Sequence, residues 1–304
     1  MTEKNFFQPE YNFLGLPPEI ANPERAKVWV LPVPYEATVS YGGGTKNGPL
    51  AIIVASRQLE FYDPEFGCEP AMKYGIYTLP PLANTHISPE AMINRVSMAV
   101  RDTLKGNPHP ELLAVLGGEH SISAGVVRGL GKAVSKKELV VVHIDAHADL
   151  RNEYEDSPYS HACAVRRISE VCPVFQIGIR NISEEEDRFR KGCSHIHTVF
   201  AEEVMSGGAY LARLADFISG KVVYLTIDLD GFDPSIMPAV GTPEPGGLSW
   251  YNMLEIVRVV CEKSKMVKAF DIVELAPIPG MISPDFVSAK LAYKIMSLVL
   301  MKNM

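Results

Sequence analysis

The 304-residue chain is poor in several features that mark whole classes of protein. It has five cysteines, Cys68, Cys163, Cys172, Cys193 and Cys261, an odd number, widely spaced and with no C-x-x-C. That excludes a disulfide frame and a cysteine zinc site, and it reads as reduced thiols in a cytoplasmic protein. Positive charge is short: 29 Lys+Arg against 36 Asp+Glu give a formal charge of −7. Nothing electrostatic then favours nucleic acid or an anionic membrane as a partner. Long apolar runs are absent, none approaching the roughly 18 residues that span a bilayer. Met1-Thr2-Glu3-Lys4-Asn5 leads into no apolar signal core. There is no internal repeat, no low-complexity tract and no shift in composition that would mark a linker. The expectation is one domain over 1–304, with 1–25 as an N-terminal extension.

What is present is ordinary globular composition, 47% apolar and 21% charged, with 23 Gly and 23 Pro. Six short apolar runs alternate with helical patterns: Val28–Val33, Leu112–Leu116, Leu139–Ile144, Val174–Ile179, Val222–Ile227 and Val267–Val273. The first is followed by a loop marked by Gly42-Gly43-Gly44 and Gly48-Pro49. Ser88-Pro89-Glu90 has the form of a helix start, with Met92, Val96, Val100 and Leu104 at helical spacing and Gly106 as the stop. Further helices are expected over about 121–130, from the Ser249 cap to about Cys261, and from about Ser283 towards the C-terminus. Runs that are apolar throughout are buried on both faces, so the pattern predicts a doubly wound parallel sheet covered by helices on both sides. Ligands of such sheets bind beyond the carboxyl ends of the strands.

Three runs end in residues of the kind that hold metals. The second ends Gly117-Gly118-Glu119-His120-Ser121, the third Asp145-Ala146-His147-Ala148-Asp149, the fifth Asp228-Leu229-Asp230. Side chains two apart on an extended strand point the same way. Asp145, His147 and Asp149 can therefore share one face, and Asp228 and Asp230 another. Burying such groups uncompensated costs several kcal/mol each, and a buried cation is the simplest remedy. The four aspartates carry −4, which two divalent ions would balance. Oxygen ligands with a minority of imidazole suit Mn²⁺, and water held by such a pair is readily deprotonated at neutral pH.

The segments at 117–121, 143–149 (His-Ile-Asp-Ala-His-Ala-Asp) and 227–234 (Ile-Asp-Leu-Asp-Gly-Phe-Asp-Pro) resemble the three signatures of the ureohydrolase family, which includes arginase and agmatinase. Gly241–Leu248 and Val273–Pro277 resemble its later loop and glutamate motifs, collinear from about residue 28 onward. The resemblance implies a three-layer α/β/α sandwich around a mainly parallel sheet, the arginase-like fold. It also implies two Mn²⁺ per chain and hydrolysis of a guanidinium to urea and an amine. His120, Asp145, Asp149 and Asp228 would hold one ion, and Asp145, His147, Asp228 and Asp230 the other, with Asp145 and Asp228 bridging. Glu119 stands where many members have Asp and is not a ligand in that pattern.

Catalysis falls by the same resemblance on His161, Glu274 and Asp149. A guanidinium is a poor electrophile that stays protonated. It needs a carboxylate to orient it, for which Glu274 is the candidate, and a proton for the leaving amine, for which His161 is the candidate. His143 reads as structural, as do His195 and His197, and Glu184–Asp187 as an exposed helix start. Pro158–Ala164, around His161, resembles agmatinases rather than arginases, so agmatine is the expected small cationic substrate, with Glu153, Glu155 and Asp156 near its far ammonium. Alternatives are aminopropylagmatine, guanidinobutyrate or arginine, the carboxylated ones gaining ground if Arg166 or Arg167 faced the pocket. More remote are a single-zinc deacetylase-like enzyme and a catalytically silent binding subunit. The family also implies a homo-oligomer, a trimer or hexamer.

Overall fold

A computed structural model describes residues 11–302. The first ten residues of the expected N-terminal extension lie outside the described residues; beyond them, Phe13, Leu14 and Leu16 are buried. The chain runs β1 (Val28–Val33), α1 (Gly48–Ser56), α2 (Pro70–Tyr74), β2 (Ile76–Thr78), α3 (Pro89–Lys105), β3 (Leu112–Gly117), α4 (Ile122–Ala133), β4 (Leu139–Ile144) and α5 (Ala164–Ser169). It continues with β5 (Val174–Ile179), α6 (Glu184–Lys191), β6 (Ile196–Phe200), α7 (Ala201–Ser206), α8 (Ala209–Ile218), β7 (Val222–Asp228), α9 (Trp250–Lys263), β8 (Met266–Val273) and α10 (Ser283–Met301). Among the described residues the strands form one sheet in the order β2-β1-β3-β8-β7-β4-β5-β6, parallel at every pairing.

Alternation along each strand divides the core in two. Val28, Val30, Leu112, Ala114, Val140 and Val142 pack on one face against α1, α8, α9 and α10. Trp29, Leu31, Leu113, Val115 and Val141 pack on the other against α3, α4 and α5. This is the helix–sheet–helix arrangement expected from strands that are apolar on both faces. The caps follow sequence chemistry: Ser88 accepts from Ala91 N–H at the start of α3, and Ser249 and Asn252 form a reciprocal cap on α9.

Two strands were not foreseen. β2 has three residues, and β6, at the far edge, buries Ile196 and Val199 on opposite faces of the sheet with His197 exposed between them. Gly48-Pro49, expected in a loop, instead opens α1, where the missing proline N–H belongs to a group that the helix leaves unpaired in any case.

Gly117-Gly118 brings the end of β3 against the backbone after β1. Gly118 N–H donates to Val33 O at 3.0 Å and Glu119 N–H to Tyr35 O at 2.9 Å. A Cβ on Gly118 would fall 1.9 Å from Tyr35 O and 2.9 Å from Tyr35 N. Both neighbours are backbone, so no rotamer relieves the clash. Gly118→Ala is expected to destabilise the fold by about 3 kcal/mol or more, read as a fall in the denaturation midpoint. A midpoint equal to wild type would contradict this packing.

Candidate metal centre and substrate pocket

With all strands running one way, their carboxyl ends share one edge of the sheet. The chemistry comes from four adjacent central strands, β3, β8, β7 and β4. His120 follows β3, just before α4, and Glu274 follows β8. Asp228 ends β7 and Asp230 lies in the 3-10 turn Leu229–Gly231. Asp145, His147 and Asp149 follow β4. All of these are buried except the His147 side chain, which is 23% exposed. Asp149 (φ 52°) and Glu274 (φ 66°) have left-handed backbone, a strain of order 1–3 kcal/mol per residue that clusters at functional sites.

The side chains form two groups with one shared member. His120 Nδ1 lies 3.1 Å from Asp145 Oδ2 and 3.2 Å from both Asp149 Oδ2 and Asp228 Oδ2. His147 Nδ1 lies 2.9 Å from Asp230 Oδ2 and 3.6 Å from Asp145 Oδ1. Asp145 thus turns one oxygen to each group. The second oxygen of Asp228, Oδ1, accepts from Asp230 N–H at 2.9 Å.

These residues fit a pair of cations. His120 Nδ1 is buried and has no hydrogen-bond partner, though three carboxylate oxygens surround it. An imidazole nitrogen and carboxylate oxygens converging on one point are a donor set for a divalent metal. His120, His143, Asp145 and Asp149 can supply one such group, and Asp145, His147 and Asp230 a second. Burial works to lower the His120 pKa, yet Asp145, Asp149 and Asp228 push it well above the usual imidazole range. Burial likewise opposes charge on His147, but Asp145 and Asp230 raise it to about 12. Burial and then the neighbouring Asp230 and Asp145 raise Asp228 well above the carboxylate range. These three directions report a shortage of positive charge in a desolvated place, while the surrounding imidazoles hold Asp145 well below the carboxylate range despite its burial.

Outer partners hold the imidazoles. His120 Nε2 is 3.0 Å from Thr226 Oγ1, which donates to Ser123 Oγ, which donates at 2.5 Å to Asp271 Oδ2. Tyr224 OH donates to the same carboxylate. The chain ends in an acceptor, so Nε2 carries a proton, which leaves Nδ1 as the nitrogen that a metal would take. His143, expected to be structural, sits 2.8 Å from Asp145 Oδ2 through Nε2, while its Nδ1 accepts from Gln176 Nε2 at 3.1 Å.

A cavity of about 210 Å³ opens over these groups, lined by His147, Asp149, Asp228, Asp230 and Glu274 and, at its mouth, by His161. Glu274 Oε1 accepts from His120 N–H at 2.6 Å. The walls also contain residues that the sequence did not reveal. Arg151 lines the mouth, its guanidinium 5.1 Å from the Tyr154 ring centre, and Tyr154 meets His161 edge-on at 6.2 Å. Glu186, expected on an exposed helix start, is buried: it caps α6 with Ser183 and accepts from Leu150 N–H at 2.9 Å. Beside the cavity, Arg180 donates to the carbonyls of Asp230 at 2.6 Å and Glu244 at 2.8 Å, tying the Asp230 turn to the Gly241–Leu248 loop. Arg166 lies over Phe189 and Arg167 pairs with Glu170; neither lines this cavity.

The family model described as Arginase family matches residues 26–301. The chain belongs to the arginase family. It is 42% identical over 277 residues to the N(1)-aminopropylagmatine ureohydrolase of Synechocystis, covering 89% of this chain and 88% of that protein. To the agmatinase of Halalkalibacterium halodurans it is 32% identical, covering 84% and 86%. The agmatine ureohydrolase structure from Thermoplasma volcanium superposes with a TM-score of 0.82 at 28% identity, covering 96% of this chain and 95% of that one. The eight-stranded parallel sheet between helical layers is therefore the arginase-like fold. The protein is a metal-dependent ureohydrolase, and its two His/Asp groups are consistent with a binuclear centre. No helix among the described residues is long and apolar enough to cross a membrane.

Proposed function

We propose that this chain releases urea from the guanidinium end of N1-aminopropylagmatine, leaving the corresponding triamine. The observation that carries the hydrolytic reading is the shared Asp145 between two His/Asp groups, with Glu274 in the wall of the same cavity. For the substrate, the relatives favour this compound, an alternative at the outset, over the expected agmatine: the aminopropylagmatine ureohydrolases reach 42% identity and the agmatinases 32%. The reading on agmatine itself is the second choice.

His120, Asp145, Asp149 and Asp228 would hold one cation, and Asp145, His147 and Asp230 the other, with Asp228 also within the second set. Carboxylate oxygens with two imidazoles suit Mn²⁺. Two bound divalent ions supply a water of lowered pKa and stabilise charge on the reacting carbon's substituents. Glu274 takes the guanidinium in a charge-assisted hydrogen bond and fixes its plane. His161, at the mouth, gives a proton to the departing nitrogen, because an amine leaves and an amide anion does not. The family reading of a homo-oligomer accompanies this proposal.

The test is urea release from N1-aminopropylagmatine, agmatine, arginine and guanidinobutyrate by the Mn²⁺-loaded protein. The expected result is a kcat/KM for N1-aminopropylagmatine at least about tenfold above that for agmatine, the effect of roughly 1.4 kcal/mol of added transition-state binding. A preference for agmatine would move the assignment to the second choice. Turnover of the carboxylated compounds alone would overturn both and turn attention to Arg151.

A further inference from the structure

Glu119 is fully buried beside His120, and its carboxylate is held by the 37–38 segment and Ser121. Its Oε2 accepts from the Ala37 and Thr38 amides at 2.6 and 2.7 Å. Its Oε1 accepts from Thr38 Oγ1 at 2.8 Å and Ser121 Oγ at 2.6 Å. A carboxylate has no proton to offer these donors, so the single hydroxyl proton of Thr38 is committed to Glu119. The Thr38 oxygen is left as an acceptor, and it faces His161. It accepts from His161 N–H at 2.9 Å and lies 3.4 Å from His161 Nδ1. Ser160 Oγ is also 3.4 Å from Nδ1, Ser40 Oγ is 3.5 Å from Nε2, and the Tyr154 ring stands edge-on. The Nδ1 contact is long, as catalytic hydrogen bonds often are before substrate binds.

We infer that Glu119, acting through the Thr38 hydroxyl, is a positioning residue that keeps the proton on His161 Nδ1 and so reserves Nε2 for proton transfer. The inference rests on the reading of His161 as the proton donor. The balance is simple. The imidazolium gives its Nε2 proton to the departing nitrogen, the C–N bond breaks with its electron pair going to that nitrogen, and His161 remains as the Nδ1–H imidazole that Thr38 holds. Water then restores the Nε2 proton. The longer side chain at 119 has a use here: it spans from the His120 loop to two backbone amides and a hydroxyl of the 37–38 segment.

Thr38 is only partly buried, so Thr38→Val, which keeps the shape and removes the hydroxyl, tests the link without emptying the core. Against the preferred guanidinium substrate, Thr38→Val is expected to lower kcat about tenfold or more, with KM and bound metal unchanged, a fraction of the 10²–10⁴-fold that general acid–base catalysis supplies. Thr38→Ser should restore kcat to within about threefold, because the hydroxyl is what counts. In a His161→Asn background Thr38→Val should have no further effect. Nitrogen NMR of histidine-labelled protein loaded with a diamagnetic divalent ion should show neutral His161 protonated at Nδ1 in wild type and shifted towards Nε2 in Thr38→Val. An Nε2–H ring in wild type, an unchanged ring in the variant, or the same kcat loss with His161 absent would each overturn the inference. A wild-type chain that releases no urea from any guanidinium would overturn the functional reading instead, while the NMR result would still decide the tautomer.

Discussion

Asp145→Asn is expected to cut urea release by at least about 10⁴-fold, since two ions that together lower the pKa of water can no longer share a ligand. The reason lies in how many contacts one carboxylate makes. Its Oδ2 stands 3.1 Å from His120 Nδ1 and 2.8 Å from His143 Nε2. Its Oδ1 accepts from His147 N–H at 2.5 Å and lies 3.6 Å from His147 Nδ1. An asparagine keeps the volume and one acceptor but turns an N–H₂ towards one of the two groups and removes a charge from both. Metal analysis after Mn²⁺ loading should fall from about two ions per chain to at most about one, as expected for a site whose affinity depends on deprotonated ligands. Asp149→Asn is the control, because Asp149 Oδ2 faces the His120 group and, among the described residues, no ion pair joins it to His147. It should weaken one ion more than the other. Two tightly held ions and full turnover in Asp145→Asn would remove the basis for a shared centre.

Much of this arrangement is legible in the amino-acid sequence alone. Leu139–Ile144 and Val222–Ile227 read as strands because both of their faces are covered, so the runs are apolar apart from His143, Tyr224 and Thr226, whose polar atoms are hydrogen-bonded inside. For the same reason the polar residues directly after such runs stood out, and Asp145, Asp228 and their neighbours do lie together at adjacent strand ends. The elements that escaped are those whose environment is lopsided or uniform. β6 is an edge strand, so His197 and Thr198 dilute its apolar pattern. α1 is apolar almost all round, with Leu50 and Val54 exposed as well as Ile52 and Ile53 buried, so helical periodicity carried no signal. Glu186 was hidden by its neighbours: one member of an acidic run turns inward to cap α6 and hold Leu150, and composition does not say which. Arg151 and Arg180 act through loop geometry that only the folded chain supplies.

Glu274→Gln is expected to lower kcat/KM by a few hundred-fold while both metals stay bound. Glu274 is 7% exposed and enters the cavity from the end of β8 with left-handed backbone, held by its N–H to Gly118 O at 2.8 Å. Oε1 is used by His120 N–H, and Oε2 has no hydrogen-bond partner among the described residues. A free oxygen of a buried carboxylate is suited to a planar cation, and losing one partner of such a desolvated pair costs about 3–4 kcal/mol. Glutamine preserves the bond to His120 through its carbonyl, but turns an N–H₂ towards substrate where an acceptor is required. The charge it removes is one that the metal-free surroundings oppose: burial first, then Glu119 and Asp230, hold the Glu274 pKa well above the carboxylate range. With the folded-state pKa raised, the ionised form is the destabilised one at neutral pH. Without metal or substrate, the glutamine variant should therefore melt no lower than wild type, while the Mn²⁺-loaded variant loses guanidinium turnover. Calorimetry, metal analysis and urea release on one preparation separate the outcomes. Loss of a metal ion together with activity would make Glu274 part of the centre, and an unchanged kcat/KM would leave the guanidinium to be oriented by some other group.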